Sequence, residues 1–423
     1  MREDLLHYIW KHKKIDTTNL KSVNGEQIDV VQFGQLNTNS GPDFFNAQLK
    51  IDNQLWAGNV EIHLKSSDWY AHHHETDSAY DNVILHVVWE HDIDVYRKDN
   101  SKITTLQLKD YISSTLVGNY QELMHQKTTW INCENDINAI DSFIIKNWLE
   151  RLYIERLERK ATVIKKLLVA SKNNWEAVLF KMMLINFGLK VNKESFQSIA
   201  DALDFAILQK VRHNNTELEA LLFGVSGLLD DVHEDAYCNQ LKKQYEFLKS
   251  KFSLQQIVTT PKFFRLRPNN FPTIRLSQLA NLYATESSLF SKLMEINNLN
   301  DYYNLLEVSA SDYWQTHYSF SKTSKRTTKK LSKSFIDLLL INTIIPVKFA
   351  YQKERATYLE EEIIDPIQDI KIESNSIVDK FLSLRDFPKT ALTSQALLEL
   401  KQNYCDTNRC LQCAIGSRLV LKN

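Results

Sequence analysis

The first 110 residues change repeatedly between helical and strand-like hydrophobic periods. Leu5, Leu6, Ile9 and Trp10 recur at helical spacing, which predicts a helix over residues 1–14. Short runs of alternating or continuous apolar residues then predict strands. These runs span residues 27–33, 44–51, 56–65, 80–90 and 103–109, and Asp68 begins a short helix between the third and the fourth. The order helix, three strands, helix, strand is typical of a small α/β domain.

After about residue 138 the pattern becomes helical almost to the end of the chain. In residues 142–170 the apolar positions recur every three to four residues among opposed charges, which predicts one long helix. Further helical stretches cover 174–187, 194–211, 215–230, 234–252, 274–283 and the remainder to about 403. The predicted fold class is therefore α+β. A small α/β domain spans 1–125, a linker spans 126–140, and a large helical domain with a C-terminal cysteine motif spans 141–423.

Glycine and proline are scarce, at nine and seven of 423 residues, where average usage gives about 50 together. This shortage favours long helices and excludes many-turned all-β designs. Apolar residues make up 43% and charged residues 24%, which places the chain among folded globular proteins. The net charge of −1 excludes a uniformly basic nucleic-acid-binding protein, so a polyanion must meet a local patch.

The chain has no run of about 18 uncharged apolar residues, so we expect no membrane-spanning helix. The first residues lack the apolar core and the small-residue cleavage site of a signal peptide. Five cysteines in 423 residues do not make a disulfide scaffold. Together these features predict a protein of the reducing cytoplasm, with no membrane partner.

Two acidic residues on neighbouring predicted strands carry the sharpest chemical signal. Asp43 opens one strand, whereas Glu61, His63 and Lys65 lie two residues apart on the next strand and so share one face. Paired carboxylates suit Mg²⁺ or Mn²⁺, and a basic side chain beside them can position or deprotonate an attacking water. The alternative is structural, because Pro-Asp is a common strand start and an exposed strand face carries charged residues for solvation.

This pattern resembles the PD-(D/E)xK nuclease superfamily over roughly residues 1–110. The Pro-Asp pair at Asp43 matches the first half of its motif, and Glu61 matches the acid of the second half. His63 stands where that superfamily has a lysine, so either Lys65 or His63 itself is left for this role. The resemblance implies a metal-dependent phosphodiesterase that hydrolyses DNA or RNA, with Mg²⁺ or Mn²⁺ held by Asp43 and Glu61.

Six of the twelve histidines fall between His63 and His91. One interpretation is an imidazole-rich zinc or manganese site that includes His86, because a polar ring inside an apolar strand needs a partner. The commoner alternative is a set of hydrogen-bonded structural histidines and surface histidines. Three consecutive residues at 72–74 cannot all face one metal, so we expect this run to lie in solvent.

Cys405, Cys410 and Cys413 form a C-x4-C-x2-C array near the C-terminus. Cys133 is the natural fourth ligand, with Cys238 or a histidine in reserve, and a bound ion would then tie the exit of the first domain to the chain's end. The predicted group is zinc or an iron–sulfur cluster. Nucleases that carry such a cluster have three similar C-terminal cysteines, although their distant cysteine precedes the nuclease motifs. The alternative is an unliganded, reduced set.

Two groups of basic residues are candidates for phosphate contacts. One is a run without acidic residues between 322 and 333, and the other flanks a proline-rich loop at 268–272. Counterion release would favour phosphates there, whereas a solvated loop and carboxylate-paired arginines are the alternatives. The nucleic-acid-binding candidates are Lys322, Lys325, Arg326, Lys329, Lys330, Arg267 and Arg275.

Longer strings across nearly the whole chain are similar to an uncharacterised bacterial family, frequent in Bacteroidetes and known only as a domain of unknown function. They lie within residues 37–47, 56–63, 80–88, 267–275 and 404–416. Because that family brings no activity, the leading hypothesis from the residues is a metal-dependent nuclease. One alternative is a non-catalytic nucleic-acid-binding or assembly protein that retains a degenerate nuclease fold. Another is a hydrolase that uses His63 and His86 on a small substrate.

Overall fold

The computed structural model describes residues 2–125, 129–231, 234–255 and 259–422. Residues 126–128 of the predicted linker lie outside the described residues. The chain divides into two compact units. Unit 1 comprises Met1–Trp148, Lys380–Asp386 and Leu400–Asn423, and unit 2 comprises Leu149–Asp379 and Phe387–Glu399.

The described residues form a mixed α+β structure, as the hydrophobic pattern predicts. The strands are β1 Ile28–Gln32, β2 Gln35–Leu36, β3 Phe44–Ile51, β4 Gln54–Lys65, β5 Val83–Glu90, β6 Thr105–Gln107, β7 His317–Ser319 and β8 Lys322–Thr323. The α-helices are α1 Glu3–Lys11, α2 Asp68–Ala71, α3 Ser114–Met124, α4 Ser142–Ala170, α5 Trp175–Phe187, α6 Lys193–Ala202, α7 Phe205–Val211, α8 Asn215–Val225, α9 Ala236–Phe252, α10 Pro272–Thr285, α11 Leu289–Glu295, α12 Leu299–Leu305, α13 Lys333–Leu339, α14 Ile345–Glu354, α15 Glu360–Gln368, α16 Ser376–Leu384, α17 Ala391–Leu400 and α18 Ala414–Val420. Wider π-helical turns at Leu340–Ile344 and Lys401–Cys405 follow α13 and α17.

Six strands of unit 1 form one sheet in the order β1-β3-β4-β5-β6, with β2 paired to β3. β3 is antiparallel to β1 and to β4, whereas β5 is parallel to β4 and to β6. The connection from β4 to β5 contains α2, as a parallel pair requires a crossover. The register pairs Phe44 with Val60 and Glu61 with His86, so the start of β3 and the middle of β5 lie beside the same part of β4.

Helix α1 has two apolar faces that serve two different cores of unit 1. Leu6 and Trp10 pack with Val60 and Ile62 of β4 in the core of the sheet. Leu5, Tyr8 and Ile9 pack against α3 and the C-terminal segment in a second core, which contains Leu116, Leu123, Leu411 and Val420. The Tyr8 hydroxyl also hydrogen-bonds the Ser417 hydroxyl, with 2.6 Å between the two oxygens. The C-terminal segment, grouped by sequence with the helical domain, therefore packs in unit 1.

Unit 2 is helical apart from the short β7–β8 hairpin within the described residues. Despite its charged residues, the stretch Lys333–Glu354 is long and apolar enough to cross a membrane by length and composition alone. However, 72% of its most apolar window is buried within the protein. A segment buried to this extent is typical of a helix in a protein core.

Local chemistry explains where the predicted helices end. The pattern at 194–211 predicts one helix, but the structure has α6 and α7 there because Asp204 interrupts it. The Asp204 side chain accepts a hydrogen bond from the Ala206 N–H, which caps the start of α7. By contrast, the predicted strand 44–51 coincides with β3, although an irregularity at Asn46, whose φ is 58°, shifts its pairing with β4.

We predict that Gly58→Ala lowers the free energy of unfolding by about 1–3 kcal/mol, the usual cost of overpacking. A Cβ atom at Gly58 would lie 2.5 Å from Ile84 Cγ2 and 2.6 Å from the Asn82 carbonyl oxygen, where β5 joins β4. Urea unfolding measures the change. Gly118→Ala in α3 is the matched control, since its Cβ would meet nothing within 4 Å. We expect this control to stabilise the helix by about 0.5–1 kcal/mol, and equal stability of the two variants would contradict the prediction.

Candidate functional site

The structure brings the two predicted carboxylates together at the junction of β3 and β4. The Asp43 backbone N–H donates to Glu61 Oε2 at 3.1 Å, and the Ile62 backbone N–H donates to Asp43 Oδ2 at 2.9 Å. The strand register causes this reciprocal pairing, because Phe44 and Val60 are direct partners. Asp43 and Glu61 therefore form one acidic pair.

Glu61 is buried, with 5% of its surface exposed, and lies against two imidazoles. The Nε2 atoms of His74 and His63 lie 3.2 Å and 3.5 Å from its Oε1. Burial raises the pKa of Glu61, as does the charge of Asp43, while the hydrogen bond from His74 lowers it. The net effect is a raised pKa.

His63 lies at the centre of a chain of three histidine rings. Its Nδ1 is 2.8 Å from His86 Nε2, and its Nε2 is 3.1 Å from His72 Nδ1. Burial, followed by the nearby imidazoles, lowers the pKa of His63 to about 2, and the same causes lower the pKa of His86 to about 3. Both rings are therefore neutral at physiological pH and can act as ligands.

The turn after α2 delivers two members of the histidine triplet to this chain. His73 adopts a left-handed conformation with φ of 59°, and the His74 N–H donates to the Trp69 carbonyl. This turn lets His72 and His74 both face His63 while His73 points to solvent. The expectation that the whole run lies in solvent is therefore wrong.

Helix α1 adds two residues that the sequence analysis did not single out. Glu3 and His7 lie one turn apart, and one atom of each lies within 4.8 Å of an Asp43 oxygen and of the other. His7 Nε2 is 3.1 Å from Asp43 Oδ2. The available signal was the i, i+4 spacing of an acid and a histidine beside an apolar stripe.

Lys65 has a different position from the other sequence-predicted residues of this site. It is exposed at the end of β4, where its backbone N–H donates to Asp68 Oδ2. No contact within the described part of the chain joins its ammonium group to Asp43 or Glu61. Its proposed role in place of the missing lysine stays a prediction.

Some ligand atoms in this cluster lie at separations that a shared metal ion would require. Atoms that share one tetrahedral ion at 2.0–2.2 Å lie roughly 3.3–3.6 Å apart, close to the separations around Glu61 and His63. Among the described residues, two sets of three ligand atoms lie within 4.8 Å of one another. They are Glu3, His7 and Asp43, and His63, His72 and His74.

The four predicted cysteine ligands also meet within unit 1. Cys133, Cys405, Cys410 and Cys413 line one cavity, and all are free thiols. Burial and then the neighbouring thiols raise the pKa of Cys133 and of Cys405, and burial raises the pKa of Cys413 to about 11. The reserve candidate, Cys238, is buried in α9 of unit 2 and is not part of this lining.

The basic candidates of unit 2 fall into an exposed group and a partnered group. Lys322, Lys325 and Arg267 are exposed, as are Arg326 and Lys330, which contact Gln315 and Glu307. Lys329 is buried and donates to the Gln315 carbonyl. Arg275 is also buried, where its guanidinium donates to Gln278 and Asn270 and lies over the Phe335 ring. Burial lowers the pKa of Arg275 to about 9.

Comparison with known proteins identifies one family. A family model described as "Protein of unknown function (DUF2851)" matches residues 3–376. No curated protein and no solved structure matches the chain. The match covers every residue of the carboxylate and histidine cluster and ends before the three C-terminal cysteines.

We predict that Asp43→Asn lowers the pKa of His7 in metal-free protein. Burial lowers this pKa, but the hydrogen bond to Asp43 and the nearby carboxylates outweigh burial and raise it above 6.5. A raised folded-state pKa stabilises the protein fully below about pH 6.5, and this contribution disappears as the pH rises through the raised value. Histidine-selective NMR titration measures the shift.

The control for this titration is Glu122→Gln, which removes an exposed carboxylate of α3. It should leave the His7 pKa unchanged. An unchanged His7 pKa in Asp43→Asn as well would show that the carboxylate does not hold the ring.

Proposed function

The chain belongs to the DUF2851 family, whose description names no activity. From its site we propose that it is a metal-dependent phosphodiesterase of PD-(D/E)xK type that acts on DNA or RNA. The observation that carries this proposal is the direct pairing of Asp43 and Glu61 within a set of imidazoles. The connection order supports it, because an antiparallel β3–β4 pair is followed by a short helix and the parallel strand β5.

The residues present fit a divalent ion. Asp43 and Glu61 would hold it. The imidazoles beside each carboxylate would supply further donors, His7 at Asp43 Oδ2 and His63 and His74 at Glu61 Oε1. A mixture of carboxylates and imidazoles favours Mn²⁺ over Mg²⁺, which prefers oxygen ligands and water. When bound, the ion supplies Lewis-acid polarisation of a phosphoryl oxygen and an acidified water.

We assign three different roles to the histidines: metal ligand, orienting partner and proton acceptor. A ring whose pKa is about 2 accepts a proton poorly, so His63 serves better as a neutral ligand than as the base. His86 fixes the orientation of His63 through the 2.8 Å contact at Nδ1. His72 is exposed and adjacent to His63 Nε2, so it is the residue proposed to accept a proton from water and release it to solvent.

We expect Asp43→Asn and Glu61→Gln each to reduce Mn²⁺-dependent cleavage by about 100-fold or more, because each removes a charged ligand. The assay uses single-stranded and duplex DNA and RNA, each with Mn²⁺, Mg²⁺ or Zn²⁺. Glu90→Gln is the matched control, since Glu90 is an exposed strand glutamate at the end of β5. It should retain full activity.

The same assay decides between His63 and Lys65. We expect His63→Asn to lose far more activity than Lys65→Met, since His63 contacts Glu61 and Lys65 is exposed. No cleavage by the wild-type chain with any of the three ions would reject the phosphodiesterase proposal. Salt-sensitive binding without a divalent ion would then favour a non-catalytic nucleic-acid-binding protein.

For substrate binding we propose the exposed basic residues of unit 2. Charge reversal of Lys322 and Lys325 should weaken nucleic-acid binding and reduce the slope of log K against log salt by about 2. Reversal of Lys165 and Lys166, two exposed lysines of α4, is the charge-matched control. Fluorescence anisotropy across a salt series measures both, and an equal effect of the two double variants would contradict a local binding patch.

A further inference from the structure

Four thiols from two distant parts of the chain line one cavity in unit 1. Cys133 follows α3, whereas Cys405, Cys410 and Cys413 lie between the π-helical turn after α17 and the start of α18. The space between them has mostly apolar neighbours such as Leu123, Leu400 and Ile415. Four cysteines that are brought together without forming a disulfide require an explanation.

The spacing of the thiols does not fit one zinc ion. Four thiolates around zinc, each at about 2.3 Å, lie roughly 3.8 Å from one another. Among the described residues, no three cysteine sulfurs lie within 4.8 Å of one another, although the histidine set does. In an iron–sulfur cluster the four thiolates are divided among two or four irons, so no three of them bind the same ion. Sharing among several irons is therefore more consistent with these thiols than one ion held by all four.

Hydrogen-bond donors also point at these sulfurs. Asn132 Nδ2 lies 3.4 Å from Cys410 Sγ, and the backbone N–H groups of Ile415 and Gly416 donate to the Cys413 sulfur. Donors to thiolate sulfur are one of the ways in which a protein stabilises and tunes an iron–sulfur cluster. Gly416 is required at its position, because a Cβ atom there would collide with the Cys410 carbonyl group.

We infer that Cys133, Cys405, Cys410 and Cys413 bind an iron–sulfur cluster that fastens the C-terminal segment to the rest of unit 1. Leu411, within the cysteine loop, packs in the same core as Leu5 of α1. The cluster would therefore lie beside the core that includes α1, the helix that carries Glu3 and His7. This inference does not rest on phosphodiesterase activity, and its readouts are iron, sulfide and visible absorption.

The experiment is to express the full chain with ample iron and to purify it without oxygen. We expect iron and acid-labile sulfide in equal amounts, about two or about four of each per chain. The protein should absorb broadly in the visible range and bleach on reduction with dithionite. About one zinc per chain without iron, or no metal, overturns the inference.

Single substitutions then assign the ligands. Cys133→Ala and Cys413→Ala should each lose most of the iron and sulfide, whereas Cys238→Ala, a buried cysteine of unit 2, should keep both. Equal loss in Cys238→Ala, or full retention in Cys133→Ala, overturns the assignment. Circular dichroism of each variant separates loss of the cluster from loss of the fold.

A further variant tests the site without removing a cysteine, in case the cysteine variants do not fold. Asn132→Ala removes the donor to Cys410 while leaving all four thiols in place. We expect it to keep the iron and to shift the reduction potential of the cluster to a more negative value, because the reduced, more negatively charged cluster loses the N–H donor that stabilises it. An unchanged potential would remove Cys410 from the ligand set.

Discussion

The burial of one carboxylate, Glu61, is the constraint on which the acidic end of unit 1 depends. An ionised carboxylate taken out of water costs several kcal/mol unless hydrogen bonds and charges replace its hydration. The partners of Glu61 come from the Asp43 backbone, from His63 on its own strand, and from His74 in the turn after α2. These segments must be in place together, so the site forms only when the sheet and its crossover have formed.

Helix α1 extends this dependence to the end of the chain. One of its apolar faces packs on the sheet and the other packs on the C-terminal segment, while its polar edge presents Glu3 and His7 to Asp43. The Trp10 indole donates to the Phe33 carbonyl, which fixes the helix over β1. Because the two cores share α1, loosening of the C-terminal segment would also loosen α1 and change the contacts of Glu3 and His7 with Asp43.

Local patterns predicted the sheet well and predicted part of the site. Strand period located β3 and β4, and a hairpin between them was enough to bring Asp43 and Glu61 together. The positions of His72 and His74 depend on one left-handed residue between them, which an alternation pattern does not encode. The docking of the C-terminal segment in unit 1 depends on contacts several hundred residues apart, such as that of Tyr8 with Ser417, and no local pattern specifies them.

The histidine at position 63 is more than a missing lysine. A lysine ammonium only donates hydrogen bonds and carries a full charge, which a site with 1% exposure would have to neutralise. A neutral imidazole can both donate and accept, so it can lie between His86 and His72 in one chain of contacts. The His63 ring therefore has a hydrogen-bond partner for each of its two nitrogens, His86 at Nδ1 and His72 at Nε2. In the proposed metal site such a set of imidazoles would favour transition metals over Mg²⁺, because nitrogen ligands bind transition metals more strongly. Metal preference is accordingly the property that most directly separates this arrangement from a site built on two carboxylates and a lysine.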